Sequence, residues 1–362
     1  GELFELLSPD RTGIRFENTI TTNDSVNIQT DLYIYNGAGV AVGDIDNDGL
    51  PDLYFTGNMV SSRLYLNKGG MRFEDITESA GVATSRWATG ASMVDINNDG
   101  HLDIHVSVSG PGWSRPEDRR NQLFINNGNR TFTESADRYA LADTGFTIHA
   151  AFIDYDRDGC LDVFLLNNSP RDFSRAEMMP MAKRGETPGS YNQLYRNSCS
   201  STAPGEASTF ANVSEAAGIQ RNPGYGLGVA IGDLDIDGWP DIYVSNDAMP
   251  SDVLYVNNGD GTFTDKSGGW LMHTSYAGAR GPEADERLHD AQSDGRRRAA
   301  RIPVRVLAEH TAAQQRHHPH GRRPLQRDRP ARGRGVHELE LERPVRGFRQ
   351  RRPQGHLRQQ RL

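Results

Sequence analysis

The chain has 362 residues, 36% of them hydrophobic, with 38 Gly, 18 Pro and a formal net charge of −8. That length admits two ordinary domains or one large repetitive one, and the turn-rich composition suits a β-rich globule. Two cysteines, Cys160 and Cys199, exclude a Cys-based zinc site and a disulfide framework, and no apolar run approaches the roughly 20 residues that cross a bilayer.

The net charge conceals two opposite parts. Residues 1–270 hold 38 Asp and Glu against 19 Lys and Arg, whereas residues 271–362 hold 10 against 21, all 21 of them Arg. The chain opens at Gly1 rather than Met, so it is read as a processed chain or a fragment, with no bearing on compartment.

Residues 1–35 are assigned to an N-terminal segment that supplies a closing strand. From residue 36 a pattern sets in. The apolar run GAGVAV leads into GDIDNDGLPDLYFTGN (43–58), where Asp44, Asp46, Asp48 and Asp52 crowd together just before a strand-like stretch. Carboxylates that close repel one another unless a cation lies among them. A second phrase follows, SRLYLNKGGMRFEDIT, with an aromatic-centred strand, a tight turn and a strand carrying Phe73.

Both phrases return three times. The first comes back as VDINNDGHLDIHVSVSG from Val94, IDYDRDGCLDVFLLNN from Ile153 and GDLDIDGWPDIYVSND from Gly232; the second returns with Phe132, Phe210 and Phe263. First aspartates lie at 44, 95, 154 and 233, giving intervals of 51, 59 and 79. The longest interval holds the polar insertion 171–190, placed as a loop on one face, with Arg171, Arg175, Lys183, Arg184, Met178, Met179 and Met181. Gly81 and Gly218 fall where one unit hands over to the next. Each unit reads strand, acidic loop, strand, linker, strand, tight turn, strand. Four antiparallel strands every ~50–60 residues is the length of a propeller blade. The fold expected is all-β: a β-propeller of four-stranded antiparallel blades over residues 36–276, with four legible repeats.

The acidic loops fit D-x-[DN]-x-D-G-x-x-D. Calcium takes about 6–8 oxygen ligands, and such a loop offers side chains at positions 1, 3, 5 and 9, a carbonyl at 7, and Gly at 6 for a left-handed turn. The candidate ligands in the first loop are Asp44, Asp46, Asp48, the carbonyl of Leu50, and Asp52. In the second they are Asp95, Asn97, Asp99, the carbonyl of His101, and Asp103. The third offers Asp154, Asp156, Asp158, the carbonyl of Cys160, and Asp162, and the fourth Asp233, Asp235, Asp237, the carbonyl of Trp239, and Asp241. Position 12, where an EF-hand needs Glu, is Phe55, Val106, Leu165 or Val244, so that motif is excluded. Asp and Gly favour turns anyway, so one copy would be a solvated turn; four with one spacing argue for about one Ca2+ per blade.

These phrases resemble FG-GAP/VCBS repeats, the propeller blades of integrin α subunits and of many bacterial secreted proteins, where they often precede an ASPIC/UnbV domain. The phrase GAGVAVGDIDNDGLPDLYFTGN is closest to the bacterial branch, and the resemblance covers roughly residues 36–270. It implies structural calcium held between two strands of each blade by the Asp and Asn residues named above. Family propellers have more blades than the four legible here, which implies a truncated ring. Integrin-like ligand binding is not implied, since it depends on features this sequence does not show.

His149 and His105 read as packed strand residues, and the Cys160 thiol as incidental, only its carbonyl being needed. No catalytic residue is assigned, for there is no G-x-S-x-G, P-loop or H-E-x-x-H.

Residues 277–362 lose the strand periodicity, and Asn and Lys are absent from 271–362. A basic arm for nucleic acid lacks the expected Lys and aromatics. A one-nucleotide shift of permitted codons across 337–361 yields another acidic loop with its first Asp near position 347, two blade lengths past Asp233. The tail is therefore read as translated out of frame, irregular and without an evolved fold.

The function expected is a non-enzymatic, calcium-binding propeller for protein or carbohydrate binding or adhesion, extracellular, at the cell surface or periplasmic. The expected partner is a protein or glycan ligand, with no nucleic acid, no transmembrane segment and a monomeric state. The alternative is a carbohydrate-active enzyme, polysaccharide lyase-like, on the same propeller.

Overall fold

A computed structural model describes residues 5–31, 33–112, 114–168, 191–199, 209–219, 224–247 and 252–271. The insertion 171–190 and the Arg-rich stretch 277–362 lie outside these described residues. The chain is all-β, with four sheets that each place four consecutive strands in sequence order. Blade 1 holds β1 (Val40–Gly43), β2 (Asp52–Phe55), β3 (Arg63–Asn67) and β4 (Phe73–Asp75). Blade 2 holds β5 (Ala88–Val94), β6 (Asp103–Val108), β7 (Gln122–Asn126) and β8 (Phe132–Glu134). Blade 3 comprises β9 (Thr147–Ile153), β10 (Asp162–Asn167), β11 (Gln193–Asn197) and β12 (Phe210–Asn212). Blade 4 comprises β13 (Gly226–Gly232), β14 (Asp241–Asn246), β15 (Val253–Asn257) and β16 (Phe263–Asp265). All pairings are antiparallel, and the inner strands β1, β5, β9 and β13 stand side by side in that order, as in a propeller.

The core lies between sheets. Tyr54, Leu64 and Leu66 of blade 1 meet Ala91, Ile104 and Val106 of blade 2, and equivalent clusters join blade 2 to 3 and blade 3 to 4. Each fully buried Leu or Ile contributes about 1.5–3 kcal/mol, so every blade gains stability from its neighbours. This explains two kinds of strand. β6 and β10 have a blade on each side and are buried along their whole length, whereas β2 alternates buried and half-buried residues. On the free side of blade 1, Val40 and Val42 are 52% and 51% exposed, while Ala91 and Met93, at the same register in blade 2, pack under blade 1.

The N-terminal segment departs from the expected closing strand. Among its described residues there is one helical turn, Pro9–Thr12, capped by Ser8, and no strand. Its polar, aperiodic sequence packs instead on the free side of blade 1. Phe16 stacks on Phe55 at 5.4 Å, Asn18 pairs with Asn58, and the main chain at Gly13 lies so close that a Cβ would sit 2.3 Å from the Phe73 carbonyl. Farther along, the Tyr33 ring lies 5.9 Å from that of Tyr225, and its hydroxyl donates to Asp247 at the end of β14.

Cys160 and Cys199 form a single bridge with Cα atoms 5.8 Å apart, which the reading of no disulfide framework did not anticipate. Spacing alone could not reveal it, since the partners are 39 residues apart and meet only once β10 and β11 pair.

Candidate metal centres in the blade loops

Each acidic loop joins the first strand of a blade to the second, and its ninth residue is the first residue of that second strand. Gly43 faces Asp52, Val94 faces Asp103, Ile153 faces Asp162 and Gly232 faces Asp241 across the ladder. The left-handed turn falls where the sequence puts it, at Gly49, Gly100, Gly159 and Gly238, with φ of 88°, 87°, 89° and 94°. Position 4 is left-handed as well, at Asn47, Asn98, Arg157 and Ile236. Asn tolerates this conformation; the β-branched Ile236, with φ of 64°, is held there against its preference.

The two successive left-handed turns wrap the chain around its own carboxylates. Asp44 accepts from the backbone N–H groups of Asp48 and Gly49, Asp95 from those of Asp99 and Gly100, and Asp233 from those of Asp237 and Gly238. Asp154 accepts from the Gly159 N–H in the same way. Position 5 accepts from the N–H of position 7 in all four loops, pairing Asp48 with Leu50, Asp99 with His101, Asp158 with Cys160 and Asp237 with Trp239.

Three clusters of carboxylates result: Asp44, Asp46 and Asp48; Asp154, Asp156 and Asp162; and Asp233, Asp235 and Asp241. Within each, one oxygen from every residue lies within 4.8 Å of the others. The second loop does not assemble such a trio among the described residues. Asn97 turns its amide to donate to Asp99, so an N–H takes the place of a third carboxylate.

Position 9 has a role that the motif does not reveal. Asp52, Asp103, Asp162 and Asp241 are all fully buried. Each uses both oxygens to accept backbone N–H bonds, one from loop position 2 (Ile45, Ile96, Tyr155, Leu234) and one from the end of the third strand (Asn67, Asn126, Asn197, Asn257). This carboxylate is a clamp as well as a member of the acidic group. Burial pushes its pKa up, to about 6 for Asp52 and about 8 for Asp103 and Asp162, with the two N–H donors opposing the shift and the neighbouring aspartates adding to it. Asp241 shifts the same way for the same first reason.

The third-strand Asn that meets this clamp completes the arrangement. Asn126 donates to the Ile45 carbonyl of blade 1, and Asn257 to the Tyr155 carbonyl of blade 3, both at 2.8 Å, tying each blade to the loop of the one before. The sequence carries the signal, since every third strand ends in Asn: LYLN, LFIN, LYRN, LYVN. Arginines, by contrast, have no repeat signature. Arg130, from the β7–β8 turn, contacts Asp46 of blade 1 at 2.7 Å, and Arg196 on β11 contacts Asp156 at 2.6 Å and Asp158 at 3.0 Å.

The residues fit a hard cation. The donors are all oxygens, the type that calcium and magnesium take. Asp46 Oδ1 and Asp154 Oδ1 are shielded from solvent and have no hydrogen-bond partner among the described residues, so the clusters of the first and third loops keep an unused oxygen. His105, fully buried against Phe152, is a packed strand residue, as expected. The Cys160 thiol is not incidental, being half of the disulfide.

A family profile described as FG-GAP-like repeat matches residues 44–106 and 112–165, covering the first three acidic loops. Cartilage acidic protein 1 of Xenopus tropicalis is 28% identical over 260 residues, 70% of this chain and 36% of that protein. The mouse and human proteins of the same name are 26% and 25% identical over 236 residues, 65% of this chain. The chain thus spans about a third of the length of these relatives. A solved structure titled as the recognition of non-reducing terminal N-acetylglucosamine by an Agrocybe aegerita lectin shares 18% identity, covering 62% of this chain and 50% of that one at a TM-score of 0.32. The chain thus carries FG-GAP-like repeats, and its four blades are each built on the same acidic loop and hairpin.

Proposed function

We propose that the chain is a calcium-stabilised propeller module, secreted or displayed at the cell surface, which binds a protein or carbohydrate ligand and does not transform it. The observation that carries this reading is the convergence of three carboxylates in each of three of the four loops, with an unused oxygen in the first and third. Asp44, Asp46 and Asp48 would hold the ion in blade 1, with the Leu50 carbonyl and Asp52 completing the loop; the same positions would serve in blades 2, 3 and 4. Bound calcium supplies the positive charge that offsets carboxylate repulsion. The Cys160–Cys199 disulfide supports an oxidising compartment, because such bridges persist outside the reducing cytosol. No helix among the described residues is long and apolar enough to cross a membrane.

The test is thermal unfolding of the full chain in chelator and in millimolar calcium. A site that binds only the folded state adds about 2.7 kcal/mol when calcium stands at a hundred times its dissociation constant. A large rise in Tm is expected; identical melting curves overturn the calcium reading. The out-of-frame reading of 277–362 is a separate proposal, and codons incompatible with the shifted frame would overturn it.

A further inference from the structure

Blade 2 carries a cavity of about 410 Å3 on its flank, away from the acidic loops, with a lining that includes Arg86, Glu117, Arg120, Gln122, Glu134 and Asp137. At the same corner of blade 3 the glutamine is fully hydrogen-bonded. There Gln193 Oε1 accepts from the Asn212 amide at 2.6 Å and lies 2.9 Å from the Tyr195 hydroxyl, which is shared with Asp143 at 3.0 Å, and the Gln193 amide donates to Asp143 at 3.0 Å. In blade 2 the matching residues are Gln122, Phe124 and Glu134, with Phe124 opposite Glu134 as Tyr195 is opposite Asn212. Phe124 has no hydroxyl, and Glu134 has no amide to donate, its Oε1 accepting from the N–H groups of Leu123 and Ala136. Both donors are lost, and Gln122 Oε1 has no partner among the described residues.

The rim fixes what can enter. Arg120 is paired with Asp137, and Arg86 donates to the Glu117 carbonyl, so two guanidinium groups stand beside three carboxylates. A polyanion meets those carboxylates and a cation meets the guanidinium groups, so neither is favoured. No aromatic wall is present among the lining residues, which disfavours a flat aromatic ligand. A hydroxyl both donates and accepts, so a neutral ligand bearing several hydroxyls can satisfy Gln122, the guanidinium groups and the carboxylates together. The volume falls in the range of small-molecule sites, roughly 300–1,000 Å3.

We propose that this corner of blade 2 is a binding site for a neutral saccharide, taking one or two sugar residues; the proposal rests on the reading of the chain as a binding module. The test rebuilds blade 3's hydrogen-bonded corner in blade 2 with the double variant Phe124→Tyr/Glu134→Asn. The labelled full chain is applied to an array of neutral, sialylated and sulfated oligosaccharides, and the strongest neutral binder is titrated calorimetrically against wild type, the double variant and Gln122→Leu. Wild type is expected to bind a neutral oligosaccharide. Both variants should bind it at least tenfold more weakly, with the Tm of the double variant unchanged or raised. Equal affinity in all three proteins overturns the site, as does a wild type that binds no neutral saccharide or only charged ones. A calcium-dependent rise in Tm with no saccharide bound removes this site and leaves the calcium module standing. Saccharide binding that the variants weaken, without any calcium effect, does the reverse.

Discussion

Cys160 and Cys199 form a covalent bond at the two positions where the other blades only touch. In blades 1, 2 and 4 the residue at loop position 7 packs under the turn glycine of the outer hairpin. A Cβ on Gly69, Gly128 or Gly259 would lie 3.8, 3.1 or 2.9 Å from Leu50, His101 or Trp239. Cys160 holds loop position 7 in blade 3, and Cys199 stands two residues after the third-strand Asn, where the others have Gly. Closing a loop of 39 residues is worth about 2–4 kcal/mol. Cys160→Ser is expected to cost about that much, and reductant should destabilise the wild type similarly. Cys160→Leu/Cys199→Gly, which installs the blade 1 pair, should cost less than Cys160→Ser. Denaturant unfolding with and without reductant checks both, and a wild type indifferent to reductant would contradict the first.

Asp103 and Asp48 belong to the same motif and are expected to fail differently. Asp103 is fully buried and holds the N–H groups of Ile96 and Asn126, at 3.1 and 2.8 Å. Asp103→Ala leaves both donors without an acceptor, at about 1–3 kcal/mol each, whether or not calcium is present. Asp48 is exposed, and its carboxylate accepts from the Leu50 N–H within the loop. Asp48→Ala should therefore change little in chelator and remove part of the calcium-dependent gain. Melting curves of both variants in chelator and in calcium separate clamp from ligand; equal losses under both conditions for Asp48→Ala would make it a structural residue only.

These two residues also show where the sequence was readable. Period-two alternation and a motif repeated four times placed the sixteen strands of the described residues and the left-handed glycine of each acidic loop, because both are local consequences of backbone geometry. The clamp was not readable, because the donors to Asp103 lie 7 and 23 residues away and need the strands to pair first. Gln122 was silent for a similar reason. Its significance lies in the missing hydroxyl of Phe124 and the missing amide of Glu134, visible only when two blades are laid side by side. The N-terminal segment misled because its contacts, Phe16 on Phe55 and Tyr33 on Tyr225, are single side-chain meetings without period.

Asp31 gives a pH dependence remote from the loops. Its carboxyl is buried, accepts the Tyr33 N–H at 2.9 Å, and makes no ion pair among the described residues. Burial raises its pKa above the usual carboxylate range, opposed by that N–H. A raised folded-state pKa means that its contribution to stability is full below the unfolded value, about 3.9, and is lost as pH rises through the folded one. Asp31→Asn keeps the acceptor and removes the ionisation. It should melt higher than wild type at pH 7–8, with the advantage vanishing towards pH 3–4. A lower Tm for Asp31→Asn at pH 8 would show that the ionised form is stabilised in the fold.

Arg196 and calcium should compete for the same carboxylates. The guanidinium contacts Asp156 at 2.6 Å and Asp158 at 3.0 Å, and its side chain is half exposed. A pair this open to water is worth about 0.2–1 kcal/mol. Arg196→Gln should lose about that much stability in chelator, since repulsion within loop 3 is then unscreened. In calcium the sign reverses: the ion no longer displaces a bound cation, and the affinity of loop 3 should rise about two- to fivefold. The fourth loop, whose aspartates make no ion pair among the described residues, should be unaffected and serves as the internal reference. Calcium titration of wild type and Arg196→Gln by calorimetry measures the shift. Weaker binding by the variant would mean that the guanidinium helps to shape the loop for the ion, and that charge competition is the smaller effect.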